Sequence, residues 1–341
     1  MGSNIQDVAR AAGVSISTVS RSFTRPQLVS KATRERVLRV ADELNFSLSR
    51  SAAALKSGRS LRVAVLLSER IGQWFVAHVI EGLNDVLHAQ GYDLSVFQID
   101  SVEDRREFFE MMPVRRNADA VVVVSFAIDQ REVAQLASTD VPIIGINSAQ
   151  PRDHGFSAAV NIDDAQGATL AARHLVTLGH RDIAYVSSAA REDTLDFSVG
   201  GRRRAFMDRC RAEGVTVREV VCRTGADGHY LIGDVVTQLM SMETMPSAVA
   251  CEEDGIAVPL MFQLERSGFA IPGDVSLIGY DDSLYTEAIG LTTVRQEPVA
   301  MAHEAARMTL DLIGGHTPDE PFRTYPAQLV VRSSTSRPKA S

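Results

Sequence analysis

The sequence predicts a small all-α head of three short helices followed by an α/β body of two Rossmann-like lobes with parallel sheets. Three observations carry that expectation. The first 46 residues show helical apolar spacing with no β-rich run, short β-rich runs alternate with helical segments from Leu61 onward, and charge divides between the two parts. Residues 1–60 carry ten Lys and Arg against four Asp and Glu, a net +6 that leaves −14 on the other 281 residues of a chain totalling −8. A cationic head on an acidic body fits either a polyanion as partner of the head or a solvated basic surface, and charge alone does not choose between them.

In the head, Ile5, Val8, Ala9 and Ala12 follow the i, i+3, i+4, i+7 pattern of a short amphipathic helix. Gly13 supplies the positive φ that ends it, and Ser15 is placed to cap a second helix. Val19 and Phe23 are expected to face inward, with Ile16, Ser17, Ser20 and Arg21 outward. Ser30 caps a third helix whose apolar positions are Val37, Val40, Ala41 and Leu44. Two helices joined by a tight glycine turn and braced by a third make a helix-turn-helix. Short hydroxyl side chains at the start of the second helix fit a major groove. Ser15, Ser17 and Ser20 suit phosphates there, and Arg21 can fork onto guanine. A helical hairpin with a polar outer face accounts for the same spacing without DNA.

Residues 47–60, SLSRSAAALKSGRS, read either as a flexible hinge or as a short helix formed only on DNA, with Leu55 as a wedge between base steps.

In the body, residues 61–67, 92–98, 118–126 and 141–147 read as buried strands, with helices at 76–90 and 129–138. A second series has strands at 181–188, 218–223, 247–252 and 275–280 and helices near 164–178, 200–213, 229–242 and 255–267. A helix at 300–313 and a strand near 325–332 complete it. Gly91, Gly179, Gly214 and Gly268 stand where helices end. Ligands of open α/β sheets bind beyond the carboxyl ends of the strands, where Asn147, Glu253, Asp254, Asp281, Asp282 and Gln296 fall. Carboxylates and amides converging there suit a polyol. Trp74 and Phe75, expected in the loop after the first strand, can stack on a sugar ring or serve as core.

Cys210, Cys222 and Cys251 are scattered, so neither a metal site nor any other cofactor is expected. No export signal or membrane-length apolar run is seen, and a cytoplasmic location is expected. No phosphate-binding glycine loop, nucleophile elbow or metal motif supports an enzyme. A sugar receptor without DNA function would leave the cationic head unexplained.

IQDVARAAGVSISTVSR (5–21) and VSKATRERVLRVADELNF (29–46) resemble the DNA-binding head of the LacI/GalR family of bacterial transcription regulators. HLVTLGHRDIAYV (174–186), IPGDVSLIGYDD (271–282) and LTTVRQ (291–296) extend the resemblance through the body. It implies a homodimeric repressor on a palindromic operator, with a periplasmic-binding-protein-like body and a small carbohydrate effector. A nucleoside or sugar phosphate, or a protein co-repressor, is the alternative. By position it implies base reading by Ile16, Ser17 and Arg21, a minor-groove wedge at Leu55, and effector contacts from Asn147, Arg202, Asp281 and Gln296. It also implies three lobe crossings, near 160, 293 and 323. The expected domains are therefore a head at 1–46, a hinge at 47–60, an N-terminal lobe at 61–159 and 294–323, and a C-terminal lobe at 160–293 and 324–341. Three positions depart from the family pattern: Leu48-Ser49 replaces Pro-Asn in the hinge, Ala205 replaces a glycine, and Glu253-Asp254 replaces Asn-Asp. The last makes the cleft more acidic and disfavours anionic effectors.

Overall fold

The computed structural model describes residues 4–24, 26–46, 59–99, 101–115, 117–137, 140–149, 151–189 and 199–339. Leu55 and the rest of 47–58 lie outside them. The chain divides into two units, Met1–Leu61 and Arg62–Ser341.

The first unit holds α1 (Ile5–Ala12), α2 (Ile16–Thr24) and α3 (Lys31–Glu43). Asn4 caps α1 in a reciprocal box with Asp7, and Gly13 ends it in the left-handed region at φ 64°. Val8, Ala12, Val19, Val37 and Ala41 form a small core, with Phe23 and Phe46 edge-to-face at 6.2 Å beside it. A core this small makes good caps important, because each is worth about 1 kcal/mol.

The second unit contains two parallel sheets. Six strands, β1 (Arg62–Leu67), β2 (Asp93–Gln98), β3 (Ala120–Val124), β4 (Ile143–Ile146), β5 (Ala158–Ile162) and β11 (Phe322–Tyr325), lie in the order β11-β5-β4-β3-β1-β2. Four more, β6 (Asp182–Ser188), β7 (Thr216–Cys222), β8 (Ala248–Cys251) and β9 (Ser276–Ile278), lie in the order β7-β6-β8-β9. β10 (Thr293–Arg295) and β12 (Gln328–Val330) pair antiparallel. β3 and β4 are buried along their whole length, as strands covered on both faces must be.

The first lobe carries α4 (Trp74–Ala89), α5 (Val102–Arg115), α6 (Gln130–Ala137) and α11 (Pro298–Ile313). α4 and α11 pack so closely at Gly82 that a β-carbon there would sit 2.7 Å from the Val299 carbonyl oxygen. The second lobe carries α7 (Asp164–Leu178), α8 (Val199–Ala212), α9 (Ile232–Met240) and α10 (Asp254–Arg266).

Three local expectations need correction. The expected elements leave out α5, β5 and β11, the last a short edge strand with Arg323 and Thr324 exposed. The chain leaves the first sheet after Ile162 and again after Tyr325, so 160–162 and 324–325 belong to that lobe rather than to the other. Trp74 and Phe75 stand on the first turn of α4, not in the preceding loop. Among the described residues, no helix is long and apolar enough to cross a membrane.

Candidate functional site

In the head, α2 begins where the Ser15 hydroxyl accepts from the Thr18 backbone N–H at 3.1 Å. The same oxygen lies 2.8 Å from the hydroxyls of Ser17 and Thr18. Ser15 is therefore committed first to starting the helix. Val19 is fully buried, which turns the opposite face outward: Ile16 is 46% exposed, Ser17 and Arg21 are exposed and Ser20 is half-buried. This face combines a cation, hydroxyls and one apolar side chain on a single short helix, the composition of a base-reading surface.

In the body, a small cavity of about 40 Å³ is lined by Glu69, Gln73, Trp74, Phe75, Ser125, Asn147, Arg202, Glu253, Gly255, Asp281 and Gln296. Most of these lie where strands end or helices begin. Glu69 follows β1, Ser125 follows β3, Asn147 follows β4, Asp281 follows β9 and Gln296 follows β10, while Glu253 immediately precedes α10. Ser125, Asn147 and Asp281 hold positive φ values of 68°, 51° and 122°. Non-glycine residues pay for that conformation, and such strain gathers at ligand sites.

Arg202 is 4% exposed. Its Nε donates to Asp164 Oδ1 at 2.6 Å and its Nη1 to the Glu252 carbonyl at 3.3 Å, with Asp281 Oδ1 3.7 Å from the same Nη1. The Tyr280 ring lies 4.0 Å from the guanidinium carbon, and the Tyr280 hydroxyl donates to the same Asp164 oxygen at 2.9 Å. Burial opposes the charge on Arg202, but Asp164, Tyr280 and Asp281 outweigh it and hold its pKa well above the ordinary value. Its neighbours differ: Arg203 pairs with Glu219 on the surface and Arg204 is exposed.

The acids behave differently from one another. Burial first, and the like charge of Glu69 second, push Glu253 up to about 7, while the Tyr230 hydroxyl hydrogen-bonds it. Asp281 is pushed well above the usual carboxylate range by burial, with Arg202 opposing. Asp282, next in sequence, receives Arg295 Nε at 2.7 Å and Arg332 Nη2 at 2.6 Å; although burial raises its pKa, those bonds hold it below the ordinary value.

Asp254, like Asp282, is an expected strand-end residue that does not line the cavity. Its carboxylate accepts from Thr293 Oγ1 and the Ser283 N–H, both at 2.9 Å, inside the lobe. Burial pushes it up to about 7. Glu69, Gln73, Ser125 and Gly255 line the cavity without having been anticipated; the strand-end rule that found Asn147 also reaches Glu69 and Ser125. Among the described residues, no group of three or more His, Cys, Asp or Glu side chains could hold a metal ion.

A helix-turn-helix unit with a cationic outer face, joined in sequence to a two-lobed body with a polar cleft, defines a ligand-responsive class of DNA-binding protein. Residues 4–49 match the family model for bacterial regulatory proteins of the lacI family, and residues 172–335 match the periplasmic binding protein-like domain. The HTH-type transcriptional repressor PurR of Vibrio parahaemolyticus is 27% identical over 98% of this chain and 98% of its own. A Lac repressor dimer bound to operator and an anti-inducer superposes with a TM-score of 0.80 at 22% identity, over 98% of this chain and 100% of that one. The transcriptional regulator CelR in complex with cellobiose gives 0.67 at 25% identity, over 97% and 99%. The chain belongs to the LacI/GalR family of bacterial transcription regulators and is a DNA-binding regulator of transcription.

Proposed function

We propose that the protein is a homodimeric repressor that reads a near-palindromic operator and answers to a small polyhydroxyl effector in the interlobe cleft. The observation that carries the effector reading is the cavity's two-sided wall. Glu69, Trp74, Phe75, Ser125 and Asn147 come from one lobe, Arg202, Glu253 and Asp281 from the other. A ligand touching both sides favours one degree of lobe closure, and only such a differential preference can shift DNA affinity. The coupling is reciprocal, so operator must change effector affinity by the same factor.

Two aromatic side chains beside carboxylates and amides are what a polyol needs, an apolar face to stack on and acceptors for its hydroxyls. That CelR is solved with cellobiose supports a carbohydrate. The acid-rich lining disfavours a sugar phosphate. On the DNA side, the reading assigns base contacts to Ile16, Ser17, Ser20 and Arg21, a helix-starting role with phosphate contact to Ser15, and the minor-groove wedge to Leu55. Support for a dimer comes from the operator-bound Lac repressor dimer and from the exposed apolar pair Leu284 and Tyr285.

The test is selection of random duplex DNA by the purified full-length protein. A motif of two inverted half-sites is expected, together with loss of preference at one base pair per half-site in Arg21→Ala. Selected sequences with no two-fold symmetry would contradict the dimeric reading.

A further inference from the structure

We infer that Arg70 of the first lobe and the 224–230 turn of the second form an interlobe latch that holds the cleft closed. Its regulatory use rests on the cleft-effector reading; the contact itself does not. Arg70 lies between β1 and α4, next to the cavity-lining Glu69. Its carbonyl accepts from the Gln73 backbone N–H at 2.9 Å, in the turn that opens α4. Its guanidinium Nη1 reaches the other lobe and donates to the Asp227 carbonyl. A β-carbon on Gly228, the next residue, would overlap that guanidinium, and φ there is 81°. Glycine is therefore what lets Arg70 close down on the turn.

The turn is built before the contact is made. It joins β7 to α9, and three backbone bonds brace it: Gly225 N–H to the His229 carbonyl at 2.8 Å, Gly228 N–H to the Gly225 carbonyl at 2.9 Å and Leu231 N–H to the Arg223 carbonyl at 2.8 Å. Asp227 Oδ1 accepts from the His229 N–H at 3.0 Å, so its side chain serves the turn and its carbonyl serves the first lobe. At its other end the turn meets the cavity wall. The Tyr230 hydroxyl hydrogen-bonds Glu253, and the Tyr230 ring lies 3.7 Å from where a β-carbon on Gly255 would stand. Glu253 and Gly255 both line the cavity. One braced turn thus touches the cavity wall at one end and the opposite lobe at the other.

The size of the cavity gives the latch a role. It measures about 40 Å³, against roughly 300–1,000 Å³ for pockets that enclose small molecules. A polyhydroxyl ligand enters only when the lobes part, and parting them takes Arg70 off Asp227. The apparent affinity of a ligand scales with the fraction of protein that is competent to receive it. Arg70 and Gly228 therefore set a threshold on effector entry from outside the cavity lining.

The chain carries its own reporter. Trp74, its only tryptophan, is half-buried in the cavity lining on the first lobe, so acrylamide quenching of its fluorescence reads lobe opening. The experiment compares full-length wild type, Arg70→Ala, Gly228→Ala on the other lobe, the double variant and, as a control, Arg131→Ala, which removes an exposed arginine of α6. Loss of one hydrogen bond from an exposed cation should raise the open-to-closed ratio about three- to tenfold in each single variant. Quenching should rise accordingly, rise no further in the double variant because both changes break one contact, and match wild type in the control. Unchanged quenching, a rise in only one single variant or rises that simply add overturn the latch and leave the cleft-effector reading standing. Binding to the operator selected above tells the two apart. Stronger quenching with altered operator affinity upholds both. Stronger quenching with unchanged operator affinity upholds the latch and overturns the link between lobe closure and DNA.

Discussion

The reading face of α2 and the interlobe cleft are both polar, yet their electrostatics are opposite. The α2 face is exposed and cationic, and its serine hydroxyls are occupied by one another and by the helix start. The cleft is buried and acidic, and burial pushes its carboxyl pKa values above those the same groups have in water. Asp281 and Asp282 show the same contrast at a separation of one residue. Asp282 has two arginine partners and a depressed pKa; Asp281 lines the cavity and is pushed up. Surfaces that bind DNA can be complete before binding, whereas a cleft that senses a ligand keeps part of its bonding unfinished.

The largest effect should come from Arg202, the one cation among the described residues lining the cleft. Arg202→Ala strands Asp164 in a buried site, and breaking a buried pair from one side costs roughly 3–5 kcal/mol. Denaturant unfolding of the full-length protein should register that loss in the body transition. A loss under about 1 kcal/mol, the scale of an exposed pair, would erase the distinction between cleft and surface ion pairs.

A pH titration sharpens the contrast next. Glu253 and Asp254 have folded values near 7, above the 4.5 and 3.8 of the free side chains. Between those limits the folded state holds more protons than the unfolded one. Their contribution is therefore fully present below the unfolded value and is lost as pH rises through the folded one, at up to about 1.4 kcal/mol per pH unit per group. His174 and His180, which burial pushes below 6.5, act in the opposite direction as pH falls below that value. The clean quantity is thus the difference between wild type and Glu253→Gln, which should grow from pH 5 to pH 7 and then level off.

On the head, Arg21→Ala should weaken binding to the selected operator by about 1–3 kcal/mol, with relaxed preference at one base pair and no change in the melt. An equal loss on random DNA would make Arg21 a phosphate contact. The smallest effect belongs to Ser15→Ala, which removes the cap of α2 and should cost the head about 1 kcal/mol in a thermal melt. An unchanged melt would show that α2 is held by Val19 and its neighbours alone.

Legibility followed the kind of force involved. The head was readable because caps, glycine turns and apolar spacing are local: Ser15, Ser30 and Gly13 each act within a few residues. Strand ends were readable for Asn147, Asp281 and Gln296 for the same reason. α5 escaped notice because its sequence, VEDRREFFEMMPVR, has a weak apolar stripe; Phe109 anchors it in the core, and buried Arg105 ties it to Glu132 at 2.8 Å. β11 is defined by pairing with β5, some 160 residues away, which no short window contains. Glu253 and Asp254 are indistinguishable as letters. The structure turns one to the cavity and the other to Thr293, a choice made by the packing of the whole lobe.

The claim that burial in the cleft disfavours the ionised form of Glu253 can be tested without knowing the ligand. The measurement is the melting temperature of ligand-free wild type and Glu253→Gln, compared at pH 5 and pH 8. The two should melt together at pH 5, where Glu253 is protonated, and the variant should be the more stable at pH 8. A variant that is less stable at pH 8 would mean that the carboxylate is already compensated within the protein, and the cleft would then be as complete as the reading face.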